Sequence, residues 1–315
     1  MTSRKTGSKL IQFLLLCALG TFSCTSMAGK TGSGTGTVRM VWVGDVMLAD
    51  GPGRLIANGG DPFQPFATRL DKADIRIANL ECVIAEGGKV LDKPWTFRAS
   101  TDALPLLKNH VDAVSLANNH AGDYGKAAFA EMLTRLQQAS LPYFGGGMDW
   151  REAHQPRIIK RKGLKIALLG YNEFFPREFE AGEKLPGSAW SEDEQVVYDI
   201  RQARKQADIV IPFMHWGQEH EPIANDRQRE LARLMIDAGA DAVVGTHPHV
   251  VQDTETYRGK PIIYSLGNFI FDGFSTTENN TGQVLWMDVT AKGVTHWHVE
   301  SAHIDPQGTP HPQHD

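Results

Sequence analysis

Cysteine is scarce in this chain. Among 315 residues there are 3, Cys17, Cys24 and Cys82, and the first two fall in an N-terminal leader. The one cysteine left for a folded part rules out an internal disulfide framework and a thiolate zinc site. Cys82 stands beside an apolar run and reads as a buried, inert thiol. A basic excess is also missing: 32 Lys and Arg against 37 Asp and Glu give a net charge of -5. No basic patch announces a nucleic-acid partner, and simple electrostatic capture of a polyanion is disfavoured. No apolar run is long enough to be a full membrane span, and there is no internal repeat. What is present, a hydrophobic share of 41% and a charged share of 22%, is the composition of a globular protein.

The leader carries a positional signal. Arg4, Lys5 and Lys9 precede the apolar run Leu10–Leu19, and Ser26-Met27-Ala28 follows as a small-x-small cleavage site. That order predicts a signal peptide over residues 1–28 and export to the periplasm or the extracellular side. A lipoprotein anchor at Cys24 is the rival, with Thr21-Phe22-Ser23 a poor lipobox before it. Residues 29–37, rich in Gly, Ser and Thr, read as a flexible linker. One domain over 38–303 follows, and the Pro/Gln/His-rich tail 304–315 is expected to be disordered.

Inside the domain, strands and helices alternate. Val38–Val43, Ile75–Ala78, Ala113–Leu116, Ile209–Met214 and Ala242–Val244 are short apolar runs, each closed by a polar turn, as buried strands are. Phe129, Met132, Leu133 and Leu136 repeat at helical spacing, as do Leu231, Leu234, Met235 and Ala238, the latter set stopped by Gly239. This predicts an α/β protein with much parallel pairing. Lys260–Ser265, Gln283–Thr290 and Val294–His303 read as later strands in a more antiparallel arrangement.

Each of the five early strands ends in a metal-competent group: Asp45, Glu81, Asn119, His215, and His247 with His249. Functional groups of open α/β sheets gather beyond the C-terminal ends of the strands, so these residues are candidates for one site. Carboxylate, amide oxygen and neutral imidazole suit Zn²⁺, Mn²⁺ or Fe. Taken singly, Gly44-Asp45 is more often a turn, Asn118-Asn119-His120 turn chemistry, and His215 a core histidine. Their recurrence at successive strand ends is what argues for a site.

The blocks Gly-Asp-Val-Met-Leu (44–48), Asn-Leu-Glu (79–81), Ala-Asn-Asn-His (117–120) with Asp123-Tyr124-Gly125, His-Trp-Gly (215–217), Gly-Thr-His-Pro-His (245–249) and Tyr-Ser-Leu-Gly-Asn-Phe (264–269) resemble, in order, those of the CapA (poly-γ-glutamate capsule synthesis) family. The resemblance covers about residues 38–274. It implies a calcineurin-like metallophosphoesterase fold, two packed mixed β-sheets flanked by helices. Carried over by position, it implies metal ligands at Asp45, Glu81, Asn119, His215, His247 and His249, with His120 the catalytic general acid. The implied cofactor is a divalent metal ion (Mn, Zn or Fe). The implied partners are an anionic polymer or phosphoester substrate and capsule-synthesis membrane proteins. Phosphoesterases carry Asp-x-His in the first block and Gly-Asp in the second; here Met47 and Asn-Leu-Glu stand instead. One tight position, from Glu81, Asn119, His215 and His247, and a weaker one, from Asp45, Glu81 and His249, are therefore expected. Two functions stay open: a metal-dependent hydrolase, or a non-catalytic accessory protein that binds an anionic chain.

Other residues are weighed alongside. Glu219, His220 and Glu221 line the site mouth or a solvated loop. Arg98, beside Trp95 and Phe97, holds an anionic substrate or belongs to an edge loop. Asn268 reads as a turn residue, and His296 and His298 as one face of a surface strand.

Overall fold

The computed structural model describes residues 36–313. The expected signal peptide, Cys24 and nearly all of the linker lie outside the described residues.

Four parallel neighbours begin the first sheet: β1 (Val38–Val46), β2 (Ile75–Leu80), β3 (Ala113–Ser115) and β4 (Tyr143–Phe144). The chain then crosses to a second sheet of β5 (Arg157–Arg161), β6 (Leu164–Asn172), β7 (Ile209–His215), β8 (Val243–Thr246), β9 (Thr254–Tyr257) and β10 (Lys260–Ile263), in spatial order β9-β10-β8-β7-β6-β5. It returns to the first sheet with β11 (Asn268–Ile270), parallel to the end of β1. β12 (Thr281–Thr290), β13 (Gly293–Ile304) and β14 (Pro310–Pro312) complete that sheet as an antiparallel edge.

Period-two alternation decides what each sheet buries where. In β1, Val38, Met40 and Trp42 face the second sheet, while Val41 and Val43 face a different core. In β6 and β7, Leu164, Ile166, Leu168, Ile209, Ile211 and Phe213 meet them, and Trp42 packs edge-on against Phe213 at 5.2 Å. Helices cover the outer faces. α1 (Gly125–Gln138) buries Phe129, Met132, Leu133 and Leu136, the face expected from their spacing. α2 (Asp193–Arg204) and α3 (Asp226–Ala238) cover the second sheet. In α3 the buried stripe is Leu231, Ala232, Met235 and Ile236. Leu234 and Ala238 are only partly buried, so the face is rotated from the expected one. Asn225 and Gln228 form a capping box at its start, and Gly239, at φ 122, ends it.

Three expectations are corrected. Residues 157–172, to which the periodicity assigns no element, form an antiparallel hairpin whose second arm pairs in parallel with β7 while its first arm is the sheet's edge. The Gly44-Asp45 step is not a turn: β1 runs on through Val46, with its register shifted near this point against both neighbours. The tail is not disordered where it is described. Asp305 accepts from the backbone N–H groups of Gln307 and Thr309 and lies 3.0 Å from His311 Nε2. The turn it builds carries β14 onto β13 as an edge strand, where proline is tolerated.

Close backbone approach explains Gly245, at the end of β8. A Cβ there would lie 2.1 Å from the Tyr264 carbonyl oxygen and 2.5 Å from Trp216 Nε1, which itself donates to that oxygen. Gly245→Ala is expected to destabilise the protein by about 1–3 kcal/mol, the cost of overpacking. It should also disturb His247 two residues on. Denaturant unfolding and metal content measured on the same sample check both effects.

Candidate metal centre

Five parallel strands, from both sheets, deliver the candidate residues to one place. Asp45 lies within the last residues of β1, Glu81 follows β2, Asn119 and His120 follow β3, His215 ends β7, and His247 and His249 follow β8. All seven are buried. The backbone is left-handed at both His247 (φ 98) and His249 (φ 56), a strained state for non-glycine residues that persists where the surroundings dictate it.

The donor atoms converge. One atom from each of Glu81, His247 and His249 lies within 4.8 Å of the others, and the same holds for Asp45, Glu81 and His215. Glu81 is common to both groups. His215 Nε2 lies 2.7 Å from Asn119 Oδ1 and 3.0 Å from His247 Nδ1. The division expected above is also within reach: His215 Nε2 lies 3.6 Å from Glu81 Oε1, and His249 lies 3.5 Å from Asp45 Oδ2 and 3.9 Å from Glu81 Oε1.

Two features test whether a cation fits. Both carboxylate oxygens of Glu81 and Nε2 of His247 are buried with no hydrogen-bond partner among the described residues. Such orphaned atoms are costly unless something satisfies them. The carboxylate, imidazole and amide set is also that of a divalent ion. Burial, and next the neighbouring Asp45 carboxylate, push the Glu81 carboxyl well above its ordinary value. Burial and the adjacent imidazoles hold His215 and His247 well below theirs, in the neutral form that ligates.

His120 stands apart from the convergent atoms. Its Nδ1 lies 2.7 Å from Asp123 Oδ2, and Asp123 is fixed by Lys93 Nζ (2.6 Å) and the Phe97 N–H (2.7 Å). Burial lowers the His120 pKa, with Asp123 pulling it back. The ring lines a cavity of about 790 Å³.

Several supporting residues escape the sequence reading. Asn79 donates to Asp45 at 2.8 Å and lies 3.2 Å from His215 Nδ1; Asn118 donates to Asn79 at 3.0 Å. Asn79 and Asp123 stand inside the quoted blocks, so the signal was there without a role; Lys93 has none. Asn268 is a strand residue, not a turn, and its side-chain oxygen lies 2.8 Å from His249 Nδ1. Met47 packs in the apolar core, with its sulfur 3.1 Å from the Ala49 N–H. Arg98 is exposed, over the Tyr124 ring, and does not line the cavity, whereas Glu219 and His220 do. His296 and His298 lie on an exposed strand surface. Cys82 is buried, its thiol pushed up to about 12.

Two packed mixed sheets with a carboxylate–histidine cluster at the strand ends define a calcineurin-like phosphoesterase fold. A 5'-nucleotidase precursor from Thermus thermophilus superposes with a TM-score of 0.52, covering 88% of this chain and 56% of that one at 14% identity, a likeness of fold. The family model described as "Bacterial capsule synthesis protein PGA_cap" matches residues 39–273, and the chain belongs to that family. The PGA biosynthesis protein CapA of Bacillus subtilis (strain 168) is 34% identical over 250 residues, 76% of this chain and 65% of that protein. The capsule biosynthesis protein CapA of Bacillus anthracis is 31% identical over 253 residues, 76% and 62% respectively. The match therefore spans somewhat less than two thirds of each relative's length.

Proposed function

We propose that this protein is an exported, metal-dependent hydrolase serving capsule or poly-γ-glutamate biosynthesis. The observation that carries the reading is the convergence of orphaned Glu81 and His247 atoms with Asp45, His215 and His249. Those residues, with Asn119, would hold Mn, Zn or Fe, one ion tightly and a second weakly. A bound divalent ion supplies Lewis-acid polarisation of a phosphoryl or acyl group. His120, its Nδ1 held by Asp123, keeps Nε2 to exchange a proton with the leaving group. Asp123 orients that ring, and Lys93 and Phe97 orient Asp123. Export is supported by the order of Arg4, Lys5 and Lys9, Leu10–Leu19 and Ser26-Met27-Ala28. The polymer role is supported by the family and by the two CapA relatives.

Protein purified from a host that processes the leader is expected to begin near Gly29 by mass spectrometry; a diacylated Cys24 makes it a lipoprotein instead. It is expected to carry divalent metal by elemental analysis and to turn over members of a panel of phosphoesters and γ-glutamyl peptides. Metal without turnover of any of them assigns the accessory role, and absence of metal refutes the centre.

A further inference from the structure

We propose that the cavity over the cluster selects substrates whose reacting anionic group is carried on an apolar or aromatic moiety without further negative charge, and disfavours carboxylate-rich chains. This rests on the hydrolase reading and narrows its substrate class to the phosphoesters of the panel above, leaving its γ-glutamyl peptides and the polyglutamate chain itself as disfavoured occupants of the catalytic cavity.

The cavity has an aromatic wall continuous with the centre. The Phe97 ring lies 4.4 Å from that of His120. Phe271 stands edge-on to Phe97 at 5.4 Å and 5.0 Å from His249. Phe274 lies 5.4 Å from Phe271 and 5.2 Å from His249. Three phenyl rings and two imidazoles thus form one surface. Trp95, 71% exposed, adds a fourth aromatic side chain to the cavity lining. A planar or apolar group attached to a phosphoryl held at the cluster meets ring faces and edges there, the contacts aromatic side chains favour.

The charges exclude the other kind of substrate. Asp50, Glu219 and Glu278 line the cavity, are exposed, and form no ion pair among the described residues. Asp272 also lines it, paired with Arg54 at 3.6 Å. Among the described residues Arg54 is the one lysine or arginine in the lining, and Lys93 is engaged by Asp123 and the Asn119 carbonyl instead. Among the described residues, a polycarboxylate laid along this opening meets three unpaired carboxylates and no unpaired lysine or arginine. Like-charge juxtaposition of this kind is how a site rejects a partner.

Two matched probes test the proposal by titration calorimetry, on the protein as purified and after metal loading: phenylphosphonate and phosphonoacetate. Phenylphosphonate is expected to bind about tenfold more tightly or better. Phe274→Ala should remove about tenfold of that affinity with metal content unchanged. Glu219→Lys with Glu278→Lys should strengthen phosphonoacetate binding about tenfold, an effect that fades at high salt. Equal affinities, a preference for phosphonoacetate, or no binding of either probe in both forms overturns the proposal. Parallel turnover assays keep the two readings apart. The expected binding preference with no ester turned over retires the hydrolase and leaves the cavity assignment standing. Turnover that favours carboxylate-rich esters does the reverse.

Discussion

His120→Ala is expected to keep its full metal content and to lose about 10²–10⁴-fold in turnover, the contribution typical of a positioned acid–base group. The imidazole is not part of either convergent donor group. Instead it is held through Nδ1 by Asp123 and lines the cavity next to the cluster. Its surroundings are built to hold one orientation, since Asp123 accepts from His120, Lys93 and the Phe97 backbone together. Measuring kcat and bound metal on one preparation decides the matter. Metal lost together with activity would make His120 a ligand, and unchanged turnover would remove it from the chemistry.

Metal affinity is expected to collapse in Glu81→Gln, by more than the roughly 10–100-fold that even outer-shell partners can cost. Glu81 is the residue common to both donor groups, and both of its oxygens lack a protein partner. The same residue gives a pH signature. Its folded-state pKa is raised well above the ordinary 4.5, first by burial and then by Asp45. A raised folded value means that the metal-free protein is most stable, as far as this group goes, below about 4.5, and loses that contribution as pH rises through the folded value. Binding a cation requires the ionised carboxylate, so uptake releases a proton and affinity rises with pH. Chelated wild type and Glu81→Gln should therefore diverge in denaturant stability as pH is raised from about 5 to 8, the variant gaining relative to wild type. Parallel curves would mean that Glu81 is ionised without metal.

The strand ends were the most legible part of this chain. Short apolar runs closed by polar groups put Asp45, Glu81, Asn119, His215, His247 and His249 at or just beyond strand ends, where the structure has them, because burial and period are local properties of sequence. The hairpin Arg157–Asn172 was not legible. Its first arm is a half-exposed edge, and its second is an apolar run that strand periodicity does not distinguish from a helix segment. Supporting contacts were also out of reach. Lys93 is one lysine among many until the loop between Val83–Ile84 and Arg98–Ala99, themselves a short parallel pair, folds it onto Asp123. Met47 shows the converse: a position shared with an imidazole in related motifs says nothing of where a thioether packs, and its core has room for it. The tail escapes a compositional reading because composition is blind to a single organising side chain, here Asp305.

The cluster sits on a seam. Asp45, Glu81 and Asn119 come from the first sheet and its loops, while His215, His247 and His249 come from the second, and the interface beneath them is otherwise apolar. The ion proposed above, held from both sides, would fasten the two halves to each other, and its free concentration would enter the folding equilibrium directly. At about 100 times the dissociation constant the fastening contributes about 2.7 kcal/mol, rising by a further 1.4 or so for each tenfold more ion. Where the supply of metal fluctuates, resistance to proteases that cleave opened chains would follow that supply. Scarcity of the ion would then remove the protein itself as well as the chemistry proposed for it.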